Sequence, residues 1–276
     1  YSTPVQTKDF TFDLNINLSR NVSKVKELAD GVDYLFFNGD ANFPINVGTR
    51  VGHRLGEIYA KNLYKRDENG NMIVNKQGRP TKVSGEDAFQ YTLDHPIGNI
   101  EPDLLMSVSP SFTYKGFTLS ALFDMKFGGD IVSVSEAMAT STGLAARTAN
   151  RGNAENGWKI VAPGVTADGT VNSTAMNAQR YYTSMSGMAE EFVYDASFIK
   201  LKELSLGYSF PKSILKKTPL TSLNVAFVAR NLAYLMKHTP GTSPEGGYDT
   251  SMFSQAIDYM SVPYTRTFGL SINLGF

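Results

Sequence analysis

Apolar and polar residues alternate again and again along this chain. In its last stretch Phe268, Leu270, Ile272, Leu274 and Phe276 fall on one side, and Thr267, Gly269, Ser271, Asn273 and Gly275 on the other. A period of two belongs to a strand, whose successive side chains point to opposite faces. Phe10, Phe12, Leu14, Ile16 and Leu18 alternate in the same way with Thr11, Asp13, Asn15, Asn17 and Ser19. So do the stretches from Phe117 to Phe127, from Glu203 to Phe210 and from Leu223 to Arg230. The polar faces are mostly Ser, Thr, Asn and Gly. A soluble sandwich usually carries Lys and Glu on its wet face; this composition suits a polar barrel lumen. Strands of about ten residues also match a tilted membrane crossing. Ile199 and Leu201 are out of phase with Leu204 and Leu206, which predicts a bulge near Lys202-Glu203.

Connections sort by length. Tyr114-Lys115-Gly116-Phe117 reads as a tight hairpin, and Pro211 to Ser222 as a shorter basic link. Residues 128–196 and 238–263 read as long polar loops. Short turns at one end and long loops at the other are the pattern of bacterial outer-membrane barrels. Phe112, Tyr114, Phe117, Tyr208, Phe210 and Phe276 gather at the short-turn end, as an interfacial aromatic girdle would. Residues 21–54 fit least well. Counted back from the C-terminus they fall on the short-turn side, either as a further hairpin or as a long inner loop. The fold expected is an all-β, antiparallel transmembrane barrel of which this chain supplies about seven to nine strands.

Composition narrows the function. The 276 residues carry 26 basic and 26 acidic side chains, so no basic face calls for nucleic acid. Without cysteine there is no disulfide frame or thiolate metal site. No apolar run is long enough for a membrane-spanning helix, and Tyr1-Ser2-Thr3-Pro4 does not open as a signal peptide.

Catalytic and metal chemistry find no constellation. Asp67-Glu68-Asn69-Gly70-Asn71 alternates oxygen ligands as a calcium loop does, but Gly78 stands where the bidentate Glu belongs. An Asn-Gly hairpin turn is the better reading. His53, His95 and His238 are scattered and read as solvent-facing loop residues, with no zinc spacing. Glu190 and Glu191 are adjacent on a polar loop and should point apart. The chain is expected to be no enzyme and to need no cofactor or metal. Trp158, Tyr181, Tyr182 and Tyr248 lie in the long loops, and aromatic faces beside amides such as Asn153 and Asn156 suit sugar or peptide contacts. Packing within the loops is the plainer role for the same rings. Asp13, Asn15, Asp124, Lys126 and Arg230 fall on the polar faces and are expected to face a lumen.

Ordered motifs carry a resemblance. TPVQTKDFTFDLNINLSRNVSKVKEL (3–28), VGHRLGEIYAKNLYKRDENGNMIV (51–74), IGNIEPDLLMSVSPSFTYKGFTLSALFDMKFGGDIVS (97–133), DASFIKLKELSLGYSFPKSIL (195–215), LNVAFVARNLAYL (223–235) and YTRTFGLSINLGF (264–276) occur in this order. Together they resemble the SusC/RagA-like TonB-dependent outer-membrane transporters of the Bacteroidetes. The resemblance implies a barrel of about 22 strands with a plugged lumen, of which residues 1–276 would be a C-terminal part without the plug or signal peptide. It implies TonB-dependent import of oligomeric nutrients, glycans before oligopeptides. The partners implied are the remainder of the transporter, a SusD-like surface lipoprotein, the TonB complex and outer-membrane lipid. It also implies that Phe268, Leu270, Ile272, Leu274 and Phe276 are read by the barrel-assembly machinery. A small autonomous barrel acting as a structural protein or adhesin, and a secreted carbohydrate-binding β-sandwich, are the alternatives; the sandwich requires these apolar faces to be sealed inside the molecule.

Overall fold

A computed structural model describes residues 1–40, 45–247 and 254–276. Seven strands form one sheet: β1 (Ser2–Gln6), β2 (Phe10–Ser19), β3 (Leu104–Tyr114), β4 (Phe117–Phe127), β5 (Phe198–Ser209), β6 (Ser222–Lys237) and β7 (Thr267–Gly275). Each pairs antiparallel with the next, in chain order, and β1 and β7 are the edges. Every alternating stretch of the sequence lies in this wall. Phe276 lies beyond the last strand.

At one end the links are tight. Lys115 (φ 47°) and Gly116 (φ 89°) both adopt positive φ, the geometry that lets a two-residue hairpin follow the strand twist. A Cβ on Gly116 would meet the Ser209 carbonyl oxygen at 2.9 Å, so the neighbouring strand also requires glycine there. The link 210–221 holds a short helix, α4 (Lys212–Leu215).

At the other end the chain makes three excursions. The first, residues 20–103, corrects the side expected for residues 21–54, while the seven wall strands fall within the expected seven to nine. β2 pairs directly with β3, so nothing between them belongs to the wall. Residues 21–54 therefore leave the wall at the long-loop end. They do hold a hairpin, Tyr34–Asp40 with Ile45–Arg50, whose sheet continues through Glu57–Ala60 and Gly98–Asn99. Glu57–Ala60 is a core strand of this body: Ile58 and Tyr59 are fully buried.

The excursion 128–197 and the described parts of 238–266 are folded as well, contrary to their reading as long polar loops. Asp130–Ser133 pairs antiparallel with Val193–Asp195 and parallel with Ile257–Asp258. Helix α1 (Glu86–Asp94) packs Phe89 edge-to-face against Tyr59 and Phe36. Helix α2 (Val134–Thr142) is N-capped by Ser133, whose hydroxyl accepts from the Glu136 N–H at 3.1 Å, and Gly143 closes the helix at φ 78°. Helix α3 (Ala178–Met185) is capped by Asn177, which accepts from the Arg180 N–H. Ile45, Val47 and Ile58 from the first excursion, Val132 and Phe192 from the second, and Ile257 from the third share one buried cluster. Each such side chain contributes about 1.5–3 kcal/mol on burial, so this core joins the three excursions into a single body above the wall.

Candidate functional site

The wall has two chemically distinct faces. On one, the register lines up Phe12, Phe112, Leu119, Leu206, Phe227 and Leu270 in a row across six strands. The next row toward the tight turns runs Phe10, Tyr114, Phe117, Tyr208, Val225 and Ile272. This face is not sealed against a second layer: Leu270 is 66% exposed, Phe268 64% and Ile272 56%. The 11 residues of β4 span roughly 36 Å along the strand. Tilted by about 40°, that height matches an apolar band of about 25 Å. The aromatics of the tight end meet as the girdle reading expected, with Phe117 on Tyr208 at 4.5 Å and Tyr208 on Phe210 at 4.9 Å.

The opposite face carries the polar positions. Asp13 accepts from the Tyr1 and Thr3 hydroxyls, each at 2.7 Å. Asn15 stands opposite Ser109, and the Asn17 amide donates to Ser107. The bulge falls where the phase slip placed it. Leu122 and Phe123 oppose Glu203 and Leu201, leaving Lys202 as the extra residue. Lys202 and Glu203 then reach the same face: Lys202 Nζ lies 2.5 Å from Asp124, and Arg230 Nε donates to Glu203 at 2.8 Å. Lys126 stands in the same alternation, between Leu105 and Phe198. The third excursion folds back over the upper part of this face. Lys200, almost wholly buried, lies 2.6 Å from Glu245, with its ammonium over the Tyr234 and Tyr264 rings.

In the loop body, Arg147 ties the second excursion together. It pairs with Glu191 at 3.1 Å and Glu136 at 3.8 Å, donates to the Tyr194 hydroxyl at 2.7 Å and covers the Phe192 ring. Burial pushes the Glu136 carboxyl up, and Arg147 pulls the other way. Burial likewise lifts Asp130, against the hydrogen bond it accepts from the Asn99 N–H. Two histidines are not free loop groups: His53 lies 3.1 Å from Glu57, and His238 lies 2.6 Å from Asp195, linking the third excursion to the second. His95 stacks on Tyr91. Asp67 spends both oxygens on Asn69 and Asn71, as a hairpin turn requires. Glu190 and Glu191 point apart, to Arg66 and to Arg147. Among the described residues no cluster of three or more His, Asp or Glu is placed to hold a metal ion.

Of the aromatic residues singled out for ligand contact, the structure brings together Trp158 and Tyr182. Both line a cavity of about 670 Å³ between the end of α2, the segment 148–158 and the start of α3. Tyr182 is buried, and its hydroxyl donates to the Arg147 and Asn150 carbonyls. Tyr181 is buried on another side of α3, among the shared core residues. Tyr248 lies outside the described residues. The Asn153 and Asn156 amides are spent on a local turn.

A one-layer antiparallel wall with an uncovered apolar face, a polar reverse face and a folded body at one end defines part of a transmembrane β-barrel of the outer-membrane type. No family model matches the chain. Its whole length aligns at 27% identity with TonB-dependent receptor P3 of Formosa agariphila, covering 28% of that protein. It aligns at 26% identity with TonB-dependent receptor SusC of Bacteroides thetaiotaomicron, covering 99% of this chain and 25% of the relative. The chain thus spans about a quarter of the length of the curated relatives it matches. In fold it matches the RagAB peptide importer in its open-open state, with a TM-score of 0.63 and 20% identity over 99% of this chain and 27% of that one. The closed-closed state of the same importer gives a TM-score of 0.62 at 19% identity, over 99% of this chain and 28% of that one. In sequence and in fold the chain is SusC/RagA-like, and these relatives are receptors and transporters, not enzymes.

Proposed function

We propose that this chain is the C-terminal part of the barrel of a TonB-dependent transporter in the bacterial outer membrane, which imports oligomeric nutrients. The observation that carries the proposal is the uncovered apolar belt, with all three large excursions at one rim. Lipid is the solvent for which such a belt is suited. In this reading the tight-turn end faces the periplasm and the loop body faces outward. Asp13, Asn15, Asp124, Lys126 and Arg230 line the channel or touch a plug carried by the remainder of the protein. A SusD-like lipoprotein covers the loop body, the TonB complex acts through the remainder, and the strand from Phe268 to Leu274 with Phe276 serves as the assembly signal.

Glycan is the preferred cargo; oligopeptide is the second reading, favoured by the fold match to a peptide importer. Deleting the whole gene in its own bacterium tests both. Loss of growth on an oligosaccharide as sole carbon source, reproduced by abolishing TonB function, supports glycan import. The same loss on peptides alone shifts the cargo to peptide. Undiminished growth on every oligosaccharide and peptide tried would overturn import.

A further inference from the structure

Trp158 stands in a left-handed backbone conformation, φ 56°. A bulky residue rarely accepts that region, and strain of this kind clusters at active sites, ligand clamps and switch regions. Backbone bonds hold it there from both sides: its N–H donates to the Asn153 carbonyl at 2.8 Å, and its own carbonyl accepts from the Ala178 N–H at 3.0 Å. The ring is half exposed and lines the cavity between α2 and α3. A second observation comes from the opposite wall. Thr140 is fully buried and also lines the cavity, yet its hydroxyl has no hydrogen-bond partner among the described residues. Buried polar groups are nearly always paired, so an orphan in the cavity wall is an observation that a ligand hydroxyl would explain. Gln179, also in the lining, is exposed, and its side-chain amide makes no hydrogen bond among the described residues.

We infer that this cavity is a sugar subsite, in which a pyranose ring stacks on Trp158 while its hydroxyls pair with Thr140 and Gln179. The cavity volume of about 670 Å³ falls within the ~300–1,000 Å³ common for small-molecule sites. An aromatic face bordered by hydroxyls and amides fits a ring with apolar C–H faces and a hydroxyl edge. Peptide is the poorer fit. No carboxylate lines the cavity to meet an amine, and Arg151 is its one charged group. Tyr182, held by two carbonyls, acts as a positioning residue under the ring site.

The inference rests on the import reading and names its ligand chemistry. Its test is binding, measured calorimetrically on the whole detergent-solubilised protein with maltoheptaose, xylohexaose, chitohexaose and an alanine-serine decapeptide as probes. At least one oligosaccharide should bind and the peptide should not. Trp158→Gly suits this backbone, so thermal stability should hold or rise while sugar affinity falls about tenfold or more. Trp158→Phe should recover part of that loss, and Gln179→Ala should weaken binding several-fold. Sugar affinity unchanged in Trp158→Gly would overturn the subsite and leave import standing. Binding of the decapeptide alone, or of no probe, would overturn the sugar assignment. Sugar binding that survives in a protein whose deletion does not impair growth would defeat import and not the subsite.

Discussion

Lys202 is one residue too many for its strand, and that surplus turns two neighbouring charges onto the same polar face. Without it, Lys202 or Glu203 would project into the apolar belt, where a charge costs about 2–4 kcal/mol at mid-depth. Arg147 shows the converse case, one cation serving several buried partners. Its replacement by Met fills the space over Phe192 but leaves Glu136 without its counter-charge. We expect a loss of about 3–5 kcal/mol in the loop body, read as faster proteolysis of residues 128–197 with the wall intact. An unchanged cleavage rate would refute it. Tyrosines of the same body respond to alkali. Burial, aided by the Glu191 charge, pushes Tyr181 up to about 12. Burial also lifts Tyr194 to about 12, against the pull of Arg147. Unfolded tyrosines titrate near ~10. Because the folded pKa is raised, this contribution is complete below pH ~10 and is lost as pH climbs through about 12. Tyrosinate absorption should therefore rise late in the native protein, and Tyr181→Phe should remove part of the late phase. A single titration near the ordinary value would contradict this.

The strands were legible because period two needs only the sequence, and each alternating stretch became a wall strand. The tight turn was equally legible from Lys115-Gly116. Gly116→Ala should cost about 1–2 kcal/mol, since alanine is strained at φ 89° and its Cβ would press on the Ser209 carbonyl. Slower refolding of the whole protein into detergent, followed by its gel migration, would register the change; an unaltered rate would count against it. The helices were missed, although signals were present. Ser133-Val134-Ser135-Glu136 has the sequence pattern of a helix start, and Gly143 is a helix stop. Long polar connections drew attention away from them.

In the molecule as a whole, the two faces of the wall should differ in their tolerance of charge. Phe268→Arg places a cation on the exposed apolar face and should cost about 2–4 kcal/mol, seen as a fall in folded outer-membrane protein. Ser271→Arg, on the reverse face of the same strand, should cost far less. Equal losses would mean that the first face does not meet lipid. The three excursions depend on one another through the shared core: Phe192→Ala should cost about 3–5 kcal/mol and loosen residues 45–60 and 254–258 together with its own segment. Hydrogen exchange confined to the second excursion would show that the body is not cooperative.

Alternation, turn chemistry and the ordered motifs were enough to define a lipid-facing wall, because each depends on contacts only a few residues apart. Which strands adjoin was a question of long-range pairing. A local pattern cannot show that β2 skips to β3, and the side assigned to residues 21–54 followed from that one missing fact. The cavity at Trp158 likewise came into being only in three dimensions, where two helix ends and a strained turn converge from positions far apart in the chain.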